Sequence, residues 1–93
     1  MQIQEIFLNA SETYEENGYF ELKQEELDFL LNRFNELNQN NELNSLQVME
    51  AKGIVAILLY GEKEDCIRKM HLSKKMQEVF KEVYNEFCED EES

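Results

Sequence analysis

Apolar residues recur with helical spacing at both ends of this chain and lose that spacing in the middle. Near the N-terminus Ile3, Ile6, Phe7, Ala10 and Tyr14 follow one another at helical intervals, which predicts an amphipathic helix over 2–16. Asn17 and Gly18 stop it, because glycine takes the left-handed cap conformation without steric cost. A second stripe, Leu27, Leu30, Leu31, Phe34 and Leu37, predicts a helix over 24–39. Glu26 favours its start and Leu22 is placed to staple onto Leu27, but Lys23 stands where a capping Ser, Thr or Asp is usual, so the first turn is expected to fray. Residues 19–22 between the two helices read as a short extended link or edge strand. At the far end Ser73 caps a helix with Leu72, Met76, Val79, Phe80, Val83, Tyr84 and Phe87 on one face.

The middle is harder. Residues 38–45 are polar, asparagine-rich and aperiodic, the pattern of a loop. Beyond them the apolar positions crowd together and predict a three-stranded antiparallel meander. Its strands are placed at 46–51, 54–60 and 66–72, with turns at Lys52-Gly53 and at 61–65. Ile54, Val55 and Ile57 are β-branched, and Gly53 and Gly61 punctuate the central run. Cys66, Ile67 and Met70 project opposite the stripe of the last helix, which demands a break near 71–73 and favours a strand before it. The competing reading is a buried helix over 45–60, interrupted at Gly53. The expected fold is therefore α+β, two N-terminal helices, a three-stranded antiparallel meander and a C-terminal helix, with an all-α bundle as the alternative. Residues 1–88 form one domain in this reading, and 89–93 an acidic disordered tail.

Charge changes the picture most. The 93 residues carry 21 acids and 9 bases, a net charge of −12. Up to residue 50 only Lys23 and Arg33 oppose the acids, whereas Lys63, Arg68, Lys69, Lys74, Lys75 and Lys81 cluster later. A field this negative disfavours nucleic-acid phosphates and anionic membranes as direct partners, and it steers the chain towards basic surfaces. The first ten residues lack the basic and long apolar regions of a signal peptide, and the run 54–60 is too short to span a bilayer. Two cysteines without an export signal point to reduced thiols in a cytoplasm.

Catalytic and cofactor motifs are absent: there is no phosphate-binding glycine loop, no HExxH and no CxxC. Cys66, His71 and Cys88 have soft-ligand chemistry but no paired spacing, so neither a metal site nor any cofactor is expected, and the chain is read as a non-enzyme. The acidic faces are the better lead. Glu5, Glu12 and Glu16 lie opposite the apolar stripe of the first helix, which has no basic residue; Glu25, Asp28 and Glu36 share the outer face of the second. Carboxylates spaced along a helix imitate the regular negative charge of a nucleic-acid backbone. Phe29 projects away from the Leu27/Leu30/Phe34 stripe and is the candidate apolar anchor. These residues predict a small acidic inhibitor, of the kind phages and mobile elements carry. It would bind a basic, nucleic-acid-binding site on a host protein as a DNA mimic, without binding nucleic acid itself. The alternatives are an immunity protein or antitoxin for a basic toxin, or a non-catalytic adaptor that works as a homodimer.

Overall fold

The computed structural model describes residues 2–40 and 42–92, with residues 88–92 described in their backbone alone. Within these residues every regular element is a helix and there is no strand. Its elements are α1 (Ile3–Asn17), α2 (Gln24–Gln39), α3 (Ser45–Tyr60), α4 (Glu64–Arg68) and α5 (Lys74–Glu92). This overturns the α+β expectation; the all-α alternative fits. The first two expected strands, 46–51 and 54–60, form one uninterrupted helix, and the third, 66–72, spans the end of α4 and the coil leading to α5. A break does fall at 71–73, but a short helix precedes it.

The physical reason lies in what surrounds α3. Helices α1, α2, α4 and α5 all pack on it. Ile54, Val55, Ile57 and Leu58 are fully buried, and Leu59 nearly so. A helix covered from several directions needs apolar residues on all its sides, so the 3.6-residue period that reveals an amphipathic helix disappears. Burial then outweighs the β preference of Ile54, Val55 and Ile57, a preference that itself reflects packing context.

Local chemistry sets the ends of α3. At its start Gln47 N–H donates to Asn44 Oδ1 at 2.9 Å and Asn44 N–H donates to Gln47 Oε1 at 3.0 Å, a reciprocal capping box. At its end Lys63 N–H donates to the Leu58 carbonyl at 2.8 Å and Glu62 N–H to that of Leu59 at 3.2 Å. This pair of bonds closes a Schellman turn, whose left-handed position falls on Glu62 (φ 57°) and not on a glycine. Gly61, one residue earlier, serves close approach: a Cβ there would lie 3.2 Å from Leu22 Cβ. Helix α1 ends as its sequence predicts, on Gly18 at φ 80° with its N–H bonded to the Tyr14 carbonyl at 2.8 Å. At the start of α2 the Glu26 carboxylate accepts from Lys23 N–H at 3.2 Å, and Leu22 and Leu27 are both buried around that turn.

Two further devices tie the helices together. Phe7, Tyr14, Tyr60 and Phe87 form an aromatic cluster from α1, α3 and α5, with Tyr14 and Tyr60 centroids 5.0 Å apart and Tyr60 and Phe87 at 5.7 Å. Asn38, near the end of α2, clamps the segment before α5: its Nδ2 donates to the His71 carbonyl at 2.9 Å and its Oδ1 accepts from Ser73 N–H at 2.8 Å. Ser73 Oγ in turn caps α5 by accepting from Met76 N–H at 3.3 Å. The expected tail, 89–93, falls on residues whose side chains, and for Ser93 the backbone, lie outside those described. Among the described residues no helix is long and apolar enough to cross a membrane.

Glu62→Gly relieves a left-handed conformation that costs a residue with a Cβ about 1–2 kcal/mol, and after the entropy glycine adds to the unfolded chain it should raise stability by about 0.5–1 kcal/mol in urea unfolding. Glu62→Gln, which removes the charge but keeps the Cβ, should not reproduce that gain. Asn38→Ala leaves the His71 carbonyl and the Ser73 N–H without their partner and should cost about 1–2 kcal/mol. Asn35→Ala, on the exposed side of the same helix, should stay within about 0.5 kcal/mol of wild type.

Candidate functional site

One side of α3 is incompletely covered. Leu46, Met49, Gly53, Ala56 and Tyr60 follow one another at three- and four-residue intervals and form a single outward stripe. Helix α1 lies along its second half. Ile3 sits beside Gly53, where an added Cβ would be 3.6 Å from Ile3 Cγ2, while Phe7 and Tyr14 pack on the Tyr60 ring. Among the described residues the first half of the stripe is left open. Leu46 is 76% exposed and Met49 67%, and Leu8 on the adjoining flank of α1 is 60% exposed. Large apolar side chains normally avoid this degree of exposure in a group. Tyr19, also exposed, stands apart in the α1–α2 link.

These three side chains line one groove of about 1090 Å³. Ile3, Phe7 and Leu8 supply the α1 wall, Phe29 and Arg33 the α2 wall, and α3 the floor, with Val83 and Glu86 of α5 at its edge. Its two lining cations are engaged internally. Arg33 Nε and Nη2 reach Glu50 Oε1 at 2.9 and 2.8 Å, and Nη1 reaches Glu36 Oε2 at 3.0 Å. The hydrogen bond to Glu50, and then that to Glu36, holds the Arg33 pKa above its ordinary value. Lys52 Nζ lies 3.2 Å from Glu82 Oε1. Partly exposed pairs of this kind contribute about 0–1 kcal/mol each, so their main effect here is to cancel positive charge at the groove.

The expected binding residues divide between groove and elsewhere. Phe29 is half-buried in the α2 wall and packs against the core, so it forms part of the groove and is not a free-standing anchor. Glu5 and Glu12 are exposed and each lies one helical turn from Leu8, outside the groove's lining. Glu25 is exposed one turn before Phe29, and Glu36 lies two turns after it, paired with Arg33. Glu16 is exposed two turns beyond Leu8. Asp28 is rotated by about 100° from Phe29 and accepts a hydrogen bond from Gln24 Nε2 at 2.9 Å. Neither adjoins the groove. Among the described residues Glu5, Glu12, Glu16 and Glu25 form no ion pair.

Leu8, Leu46 and Met49 escaped the sequence reading. Leu8 had a signal, since it lies off the Ile3/Ile6/Ala10 stripe on an otherwise polar face. Leu46 and Met49 had none, being hidden in a run where apolar residues occur on every side.

Elsewhere, the Arg68 guanidinium lies over the stacked rings of Phe80 and Tyr84, 5.4 and 5.5 Å from their centroids, and also reaches Glu64 at 3.1 Å. Cys66 is a partly buried free thiol, and the Cys88 side chain lies outside the described residues. Among the described residues no three His, Cys, Asp or Glu side chains are grouped to hold a metal ion. Comparison with protein-family models, with curated proteins and with solved structures finds no match to this chain.

Proposed function

We propose that this chain is a non-catalytic binding protein that occupies a basic, nucleic-acid-binding surface on a protein partner and inhibits it, acting in a cytoplasm. One observation carries the reading. Glu5, Glu12, Glu16 and Glu25 are exposed and form no ion pair among the described residues, while the two cations that line the groove, Arg33 and Lys52, are already held by Glu50, Glu36 and Glu82. The chain therefore presents uncompensated negative charge along α1, where a surface serving only solubility would mix signs for pairing along the helix. Such a field steers a basic partner into contact and favours it over other surfaces. Exposed Leu8, Leu46 and Met49 beside the carboxylates add desolvation that charge alone would not supply.

Affinity capture with the 93-residue chain, in low and in high salt, tests this directly. The expected catch is a basic nucleic-acid-binding protein that duplex DNA displaces and that is lost as salt shortens the Debye length from about 10 Å towards about 3 Å. The triple variant Glu5→Gln, Glu12→Gln, Glu25→Gln should slow association with that protein by about tenfold at low salt. A salt-resistant complex with a partner that carries no basic surface sinks the reading.

A further inference from the structure

The part of α3 left uncovered by the described residues is a slot about two helical turns long. Ile3 beside Gly53 and Phe7 beside Tyr60 show that α1 runs in the same direction as α3 and covers its stripe only from Gly53 onward. From Leu46 to Gly53 the stripe continues for two turns, about 10 Å, in the same groove that Leu8 of α1 and Phe29 of α2 line. We propose that this groove receives an amphipathic helix of the partner, apolar towards Leu46 and Met49 and cationic along its flanks. The proposal rests on the preceding reading that the partner is basic, and adds how the partner is held.

Shape and charge select this occupant together. An amphipathic helix offers anchors at i, i+3, i+4 and i+7, which suits an apolar trough a few turns long. Met49 supplies an unbranched, adaptable side chain of the kind common on helix-receiving surfaces. Glu86 stands in the lining of the trough and Glu5, Glu12 and Glu25 lie one helical turn from lining side chains, while Glu50 is spent on Arg33 and Lys52 is held by Glu82. An incoming helix therefore meets negative potential on its flanks. A second copy of this chain would bring another −12 into the same space, and a membrane or nucleic acid would bring its own phosphates.

Two synthetic peptides of identical Leu/Lys composition, about 18 residues or five turns long, decide the matter by calorimetry and amide chemical shifts. One carries its leucines on a single helical face; the other disperses them around the helix. The patterned peptide should bind about tenfold or more tighter than the dispersed one, shifting the amides of Leu8, Phe29, Leu46 and Met49. The double variant Leu46→Ser, Met49→Ser should lose about tenfold in affinity for the patterned peptide. Both side chains are largely exposed, so this variant should keep the wild-type melting temperature to within about 4 °C. Equal binding of the two peptides, or binding untouched by the double variant, overturns the groove and leaves the basic-partner reading standing. Failure of both cationic peptides to bind, even at low salt, overturns both. Equal affinity for a patterned Leu/Gln peptide overturns the cationic part. A dimer in sedimentation equilibrium that the double variant dissociates assigns the groove to a second copy and overturns the proposal.

Discussion

The rest of the structure depends on the burial of α3. Helices α1, α2 and α5 are amphipathic and need one apolar surface each, whereas the second half of α3 is apolar on every side and supplies that surface to all of them. Packing in this chain runs through α3 to a degree that leaves the outer helices little direct contact with one another. Full burial of a Val, Leu or Ile side chain is worth about 1.5–3 kcal/mol, so the group Ile54, Val55, Ile57 and Leu58 outweighs any single cap or ion pair at the surface. It must also offset a chain-wide repulsion, since twelve uncompensated negative charges are brought closer by folding.

That same dependence explains which parts were legible. Helices α1, α2 and α5 each have one wet face, so their periods survive in the sequence, and Gly18 and Ser73 mark ends that the structure confirms. Helix α3 has no polar residue over residues 54–59, and an apolar run with β-branched residues between glycines reads equally as a buried strand. A discriminating signal did exist. Asn44 and Gln47 stand three apart just before the apolar run, the spacing of a capping box, and a strand has no use for it. The phase break near 71–73 was also present, but a change of phase marks only the end of an element. It does not say whether a helix or a strand precedes it, and here a five-residue helix does.

For the site, the sequence located the charge better than the apolar surface. Carboxylates on the outer faces of amphipathic helices follow from the helical period alone, and Glu5, Glu12, Glu16, Glu25 and Asp28 are exposed as that period requires. Exposure of Leu46 and Met49 could not be read the same way. It depends on how α1 and α2 sit against α3, a tertiary fact that no local pattern encodes. Phe29 shows the intermediate case: its projection off the core stripe was visible, but whether it met solvent, core or groove depended on the neighbouring helices.

Stability and binding are linked through the uncovered half of α3. A fully wrapped central helix would require the α2 wall to close over Met49. In that wall Arg33 spans to Glu50 by a charged fork, where an apolar side chain would have sealed the gap. The fork contributes little to stability at its partial exposure, yet it neutralises the one cation on that wall and leaves the groove open beside it. The open half costs the chain little, because α3 is anchored by its second half and capped at its first by side chains that need no partner helix. A basic helix seated there would complete the wrapping of α3 and relieve part of the self-repulsion at once. Both gains would favour the folded, occupied state over the free one, so occupancy of the groove would raise the stability of the fold that forms it.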